Sequence, residues 1–403
     1  MKLTSGHLTY CTNIHAGESW KDHFESLKKN FPRIKEKVSR DKSMGIGLRL
    51  SNLASIDLQD KLNLDIFKSW LQENNAYVFT MNGFPYGDFH HAIVKDQVHV
   101  PDWTTHDRLK YTLRLFDILA QLLPKGMDGG ISTSPLSYRH WFSIKEEIEH
   151  AKAIATLNII SVVEKLYLIK KNKNILMHLD IEPEPDGMLE TGSEFIGWFE
   201  HVLLPMAHTE LAARLNITSQ EAEECVREHI CLCYDICHFA IGYEPHKVIL
   251  EELAMKRIRV GKIQISAALK ADLPDNSNSR ELISAEFSKF NEPTYLHQVV
   301  ARKENNDLIR YRDLPDALPD IKNPLIKEWR AHFHVPVFSE DLGLLKSTQS
   351  EIIDVLQIQK ENPFTSHLEV ETYTWEVLPH SLKVPIDLSI SRELNWVKEV
   401  LES

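Results

Sequence analysis

The residues of this chain that could do chemistry recur at every second position of short apolar segments. In Ile175-Leu176-Met177-His178-Leu179-Asp180-Ile181-Glu182 the odd positions are apolar, so an extended backbone presents His178, Asp180 and Glu182 on one face. The same alternation groups Cys11, Asn13 and His15, then Gly47, Arg49 and Ser51, then Thr80 and Asn82. Later segments offer Cys231, Cys233 and Asp235; Lys262, Gln264 and Ser266; and His367, Glu369, Glu371 and Tyr373. Carboxylates, an arginine and a lysine gathered away from water are costly unless each finds a counter-charge, a metal or a polar ligand. Held together, such carboxylates can exchange protons with a substrate or bind a divalent cation.

Bringing these faces together requires strands around a common axis. Nine runs carry the period-two pattern: 8–15, 45–51, 77–82, 130–134, 175–182, 231–235, 259–266, 331–338 and 367–373. Helix-length amphipathic segments separate most of them; Leu109, Leu113, Phe116, Leu119 and Leu123 fall along one helical face. Strands alternating with helices predict parallel β-α units, and the spacing predicts a single (β/α)8 TIM barrel spanning 1–403. Residues 267–366 are expected to form one long insertion between barrel strands seven and eight, with a hairpin (294–300 against 308–311) and an extra strand. The first β-α turn lacks the glycine-rich phosphate loop of an open nucleotide-binding sheet. In a parallel barrel one strand face packs on helices, the other faces the axis, and sites form at the carboxyl ends of the strands.

Composition narrows the partners. The 403 residues carry a formal net charge of −12, which repels phosphate backbones and argues against nucleic acid. No run approaches the roughly 20 apolar residues of a membrane span, and residues 1–17 lack the apolar core of a secretion signal, so a cytoplasmic location without a direct membrane span is expected. The five cysteines are odd in number and four crowd into 225–237, which predicts reduced, buried thiols.

With these residues in view, the chain resembles the xylose-isomerase-like TIM-barrel superfamily of sugar-phosphate isomerases and epimerases. More closely it resembles the EboE family, barrel proteins of a metabolite-traffic cluster. That likeness is carried by Leu8-Thr9-Tyr10-Cys11-Thr12-Asn13-Ile14-His15, by Asn82-Gly83-Phe84-Pro85-Tyr86-Gly87 with Phe89-His90, by His178-Leu179-Asp180-Ile181-Glu182-Pro183-Glu184-Pro185, and by His332-Phe333-His334-Val335-Pro336. The resemblance implies a divalent metal held by a Glu ending strand five, an Asp opening an Asp-x-x-His on strand six, a His on strand seven and a Glu on strand eight. Glu182, Asp235 with His238, and Glu371 match three of these positions. At the fourth stands Gln264, a poorer ligand for a transition metal than imidazole. Three readings stay open: Gln264 coordinates through its amide oxygen, His334 reaches in from the insertion, or the metal is weakened or lost. A carboxylate-rich set suits Mg²⁺ or Mn²⁺ better than Zn²⁺.

By the same resemblance Glu182 and Glu371 are the catalytic proton-transfer pair. Arg49 and Lys262 become candidates for a substrate phosphate or carboxylate, and His15, Asn82, His238 and His332 for substrate hydroxyls. The bland alternative for Glu182 and Asp235 is an ion pair with Lys262 or Arg49, and for His332 and His334 a structural hydrogen-bonding role. Only one of Glu369 and Glu371 should reach the mouth, and Glu371 is nearer the strand end. Three functions follow as expectations. The first is a metal-dependent isomerase or epimerase acting on a small sugar-like metabolite or secondary-metabolite precursor in a traffic route. The second is a non-catalytic carrier that hands such a metabolite to membrane partners of the same cluster. The third is an endonuclease IV-like metal hydrolase, disfavoured by the negative charge and by the absence of an Asp-x-His ligand pair.

Overall fold

Eight short strands, buried along nearly their whole length, stand side by side in parallel: Gly6–Tyr10, Met44–Arg49, Ala76–Asn82, Gly129–Thr133, Met177–Ile181, Ile230–Asp235, Val260–Ile265 and His367–Val370. The computed structural model describes residues 1–90, 93–379 and 382–403. From the second strand to the eighth each strand pairs with its successor, and the eighth returns to the first with Leu368 opposite Leu8. The second strand meets the first only through the isolated parallel bridge Cys11–Gly47. Threonine hydroxyls fill that seam. Thr9 Oγ1 donates to the Gly45 carbonyl at 2.8 Å and accepts from the Gly47 amide at 3.1 Å, while Thr12 Oγ1 accepts from the Arg49 amide at 2.8 Å. These bonds satisfy backbone groups that the missing ladder would leave bare and nearly close a TIM barrel.

A helix or helix pair follows each strand: Trp20–Val38, Asn52–Gln59 with Lys61–Glu73, His106–Leu122, Lys145–Lys173, Ser219–His229, His246–Met255, Gln349–Glu361 and Ile386–Glu402. Their start signals are local. Thr105 caps His106–Leu122 through the Arg108 amide, and Thr218 with Glu221 forms a capping box on Ser219–His229. Strand residues of one parity, among them Ile46, Leu48, Leu179, Ile181, Ile263, Ile265, Leu368 and Val370, join the helices in one large apolar core. Residues of the other parity face the axis, and small side chains make room for them. A Cβ on Gly47 would lie 1.9 Å from Glu369 Oε1.

Residues 267–347 leave the barrel after the seventh strand and build a second, antiparallel sheet. Its order is Leu308–Tyr311, Val299–Lys303, Ile326–Val335, Ala267–Asp272, Leu345–Ser347, Asp341–Leu342. The chain regains the barrel earlier than 366, because Gln349–Glu361 packs between His246–Met255 and Ile386–Glu402 as a member of the outer ring. The hairpin pairs Val299–Lys303 with Leu308–Tyr311 and excludes 294–298. Thr294 and Tyr295 instead give their amides to Glu292, and the Thr294 carbonyl accepts from the amides of Val94 and Lys95. The eighth strand stops at Val370, short of the expected 373, and Tyr373 lies in the 3-10 turn Tyr373–Glu376. Among the described residues no helix is long and apolar enough to cross a membrane.

Candidate functional site

The inward-facing polar residues stack in three tiers along the barrel. In the middle tier Lys262 Nζ lies 2.5 Å from Glu369 Oε2, both fully buried, and also donates to Ser132 Oγ at 3.1 Å and the Met81 carbonyl at 3.3 Å. Burial alone would push the ammonium down, but the Glu369 charge outweighs it and holds Lys262 protonated. Lys262 is therefore committed inside the barrel and does not reach the mouth, contrary to its expected role with a substrate anion. Glu369 is its counter-ion, which leaves Glu371 as the eighth-strand carboxylate at the mouth.

In the upper tier, at the carboxyl ends of the strands, three carboxylates converge on one amide. Gln264 Nε2 lies 3.2 Å from Glu182 Oε1 and 3.5 Å from Asp235 Oδ2, and bonds Glu371 Oε2. Gln264 Oε1 is turned away and accepts from Cys233 Sγ at 2.5 Å. The nitrogen must be the end that faces the acids, since an oxygen there would add an acceptor to a place already holding only acceptors. Of the three readings open for this position, coordination through the Gln264 amide oxygen is the one this orientation does not present. Glu371 Oε1 also accepts from Asn13 Nδ2 at 2.7 Å and Asn82 Nδ2 at 3.0 Å, and Asp235 Oδ1 from Ser266 Oγ at 2.6 Å. Asp235 caps the helix Ile236–Ile241 through the His238 amide, which accounts for an Asp at that position. Glu182 Oε2 has no hydrogen-bond partner. Burial pushes the Glu182 carboxyl well above the usual range, with Glu371, Asp235 and Glu184 adding to it. Glu371 is raised likewise by burial, then by Asp235 and Glu369.

Histidines close the other side of this tier. His238 donates from Nδ1 to the Pro183 carbonyl at 2.8 Å, and its Nε2 lies 3.3 Å from Glu184 Oε2. His334 donates from Nδ1 to the Glu371 carbonyl at 3.1 Å, leaving its buried Nε2 without a hydrogen bond. One donor atom from each of Asp235, His238 and His334 falls within 4.8 Å of the others, as do those of Glu184, His238 and His332. The inserted sheet supplies both His332 and His334, because Ile326–Val335 runs over the mouth. Burial lowers His334 to about 4, so it stands neutral with a free lone pair.

A cavity of about 60 Å³ opens on Glu182, Glu371, Asn13, Asn82, His238 and His332. Phe84, Phe89, Tyr295 and Tyr373 wall it. The inserted segment bearing Tyr295 is clasped to the loop after strand three by Lys95, whose Nζ lies 2.6 Å from Asp313 Oδ2. A larger, open concavity of about 1290 Å³ lies between outer helices. Its rim charges pair among themselves, Lys170 with Glu228, Arg257 with Glu224 and Arg227 with Glu223.

Two other expected substrate ligands do not face the cavity. Arg49 is held by both carboxylate oxygens of Glu18 at 3.0 Å and by the Gly87 carbonyl at 2.6 Å. His15 turns back to the Tyr10 hydroxyl at 3.2 Å, since the chain after strand one coils into the 3-10 turn Thr12–Ile14 and breaks the alternation. Neither Glu182 nor Asp235 pairs with Lys262 or Arg49. Glu184 was missed as a site residue, although it continues the parity of Glu182. Burial, opposed by His238 and assisted by Asp235, lifts it to about 7. Tyr373 shares the alternation of the last strand but reaches the cavity from the 3-10 turn Tyr373–Glu376, and nothing in the sequence marks Tyr295 as a cavity residue.

No family model matches the chain, and no curated protein matches it. Solved structures do. The IolI protein with a bound zinc atom aligns over 98% of both chains at 14% identity, with a TM-score of 0.47. The probable 3-DHS dehydratase AsbF, involved in petrobactin synthesis in Bacillus anthracis, aligns over 98% of both at 10% identity and a TM-score of 0.46. A xylose isomerase-like TIM barrel protein from Mycobacterium smegmatis in complex with magnesium covers 96% of this chain and 90% of its own, at 10% identity and a TM-score of 0.47.

Proposed function

We propose that this barrel is a divalent-metal-dependent isomerase or epimerase acting on a small hydroxylated metabolite. The observation that carries the reading is the meeting of Glu182, Asp235 and Glu371 on the Gln264 amide nitrogen, with His238 beside Glu182 and Asp235 at 3.9 Å. The donor set fits a metal. Asp235, His238 and His334 each bring one donor atom within 4.8 Å of the others, His334 with an orphaned imidazole nitrogen, and Glu182 nearby has an orphaned carboxylate oxygen. Such a cation would supply charge stabilisation to an oxygen on the substrate. With His238 and His334 beside the carboxylates, Mn²⁺ or Zn²⁺ suits the set better than Mg²⁺.

The protein's own part is proton handling. Glu182 and Glu371 come from the fifth and eighth strands, and like charges in a dry site favour sharing a proton. One then abstracts a proton from the carbon beside a carbonyl while the other returns it. Asn82 and Asn13 fix Glu371 through its other oxygen, keeping the carboxyl plane set. Phe84, Phe89 and Tyr373 line the cavity and limit the water that solvates the two carboxyls. The cavity, at about 60 Å³, is smaller than the several hundred Å³ typical of small-molecule pockets, so a sugar-sized substrate enters when the Tyr295 segment moves. The resemblance to EboE barrels supports a metabolite in a biosynthetic or export route, with membrane proteins of that route as partners.

Metal-stripped protein dialysed against Mn²⁺ is expected to take up one equivalent at the mouth, lost in Glu182→Gln. It should then exchange a carbon-bound hydrogen of a small ketose or polyol-derived ketone with deuterated water. Substoichiometric Mn²⁺, or Mn²⁺ retained in Glu182→Gln, overturns this reading. Gln264 at a position where the resemblance calls for histidine favours the second reading, a carrier. A metabolite that raises the melting temperature without metal and without turnover would support that instead.

A further inference from the structure

The lower tier, at the amino-terminal end of the barrel, holds a second cluster that the proposed chemistry does not use. Asp128 immediately precedes strand four, His178 is the second residue of strand five and His367 the first of strand eight. One donor atom from each lies within 4.8 Å of the other two. His178 Nε2 is 3.6 Å from Asp128 Oδ2, His367 Nε2 is 3.5 Å from Asp128 Oδ1, and the two rings are 5.1 Å apart. His178 stands four residues before Glu182 on one strand, so this tier lies roughly 13 Å from the mouth.

We propose that Asp128, His178 and His367 form a second divalent-cation site, of zinc type, that staples strands four, five and eight. The spacings are long for hydrogen bonds, which favour about 2.7–3.2 Å. They match the edge of a coordination tetrahedron, which for bonds of about 2.0–2.2 Å is roughly 3.3–3.6 Å. Neither ring nitrogen of His367 makes a hydrogen bond, although only 1% of the residue is exposed. His178 is already oriented as a ligand, because Asp180 Oδ1 takes its Nδ1 at 2.5 Å and leaves Nε2 toward Asp128. Space for this pair is built in by glycine. A Cβ on Gly261 would fall 1.9 Å from Asp180 Oδ1, and one on Gly130 would fall 2.5 Å from His178 Cε1. Two imidazoles and one carboxylate select zinc over magnesium. Ions can enter past Asp128, whose side chain is 27% exposed. The neighbouring cation, Arg259, is loosely placed at 3.8 Å from Asp128 Oδ2 and donates to the Glu228 carbonyl. Ser366 Oγ completes the surroundings at 3.4 Å from Asp128 Oδ1.

The test is zinc stoichiometry by mass spectrometry after dialysis of the stripped protein, in wild type, Asp128→Asn, His367→Gln and Asp235→Asn. Asp128→Asn and His367→Gln should each lose one equivalent of zinc, and Asp235→Asn should keep that equivalent. If His367→Gln does not fold, Asp128→Asn still decides, because it alters a part-exposed side chain. Zinc added to the wild type should also shift the imidazole nitrogen resonances of His178 and His367. Unchanged zinc content in Asp128→Asn together with unmoved resonances would reduce the cluster to an ion-paired triad and overturn the proposal. A failure of metal binding at the mouth would show separately, as the absence of any loss in Asp235→Asn.

Discussion

At Gln264 a neutral amide occupies the place where three buried carboxylates point. It can donate only two hydrogens to three acceptors, so the set is under-satisfied, and burial with the neighbouring carboxylates raises the proton affinities of Glu182 and Glu371. Gln264→Leu removes the donors and leaves buried acceptors without partners. Chemical denaturation should show a loss on the order of 2–4 kcal/mol at pH 8. The loss should shrink at pH 5, where those carboxyls hold protons, and Mn²⁺ should restore most of it. A loss independent of pH and metal would mean that packing, not charge, is what the amide supplies.

The C-terminal helix Ile386–Glu402 is pinned to the mouth by an acid. Glu393 is buried and accepts from Thr372 Oγ1 at 2.7 Å and from the Val337 amide at 3.3 Å, tying the end of strand eight to the inserted sheet. Burial lifts its carboxyl to about 7, offset in part by Thr372 and the Val337 amide. An acid raised in the folded state favours folding at low pH, and that contribution fades as pH climbs from the unfolded value near 4.5 to about 7. Glu393→Gln keeps the accepting oxygen and removes the ionisation. It should match wild type below pH 4.5 and be more stable by about 1–3 kcal/mol above pH 7. Equal stability of the two proteins at pH 8 would show that Glu393 ionises freely.

For the whole molecule, buried histidines set the acid limb of stability. Burial holds His15 and His99 to about 3 and His334 to about 4, far below the ordinary 6.5. Between those values the unfolded chain binds more protons than the folded one, so stability falls as pH drops below 6.5. Each group contributes up to about 1.36 kcal/mol per pH unit. On the alkaline side His178, held at about 9 against burial by Asp180 and Asp128, loses its charge, while Glu182 and Glu371 are forced to ionise. Urea midpoints of the metal-free protein should therefore peak near pH 6.5–7 and decline on both sides, with Mn²⁺ lifting the alkaline limb. A plateau reaching down to pH 4 would contradict the buried neutral histidines.

The alternation of apolar and polar residues determined the barrel and much of its site. Strand geometry puts every second residue on one face, so Glu182, Asp235, Gln264 and Glu371 were legible as one inward set; Gly47 and Gly261 make room deeper in the barrel, for Glu369 and Asp180. Periodicity has no term for what lies across the axis. It could not tell that Lys262 pairs with Glu369 in the middle tier, that Glu18 holds Arg49, or that the 3-10 turn after strand one turns His15 away while Asn13 still reaches Glu371. Nor could it place the inserted sheet, whose long-range pairing lays His332 and His334 over the mouth. It equally left unseen the meeting of Asp128, just before strand four, with His178 and His367 of strands five and eight, which only barrel closure brings together. Local spacing fixes which way a side chain points, and tertiary closure alone decides what it meets.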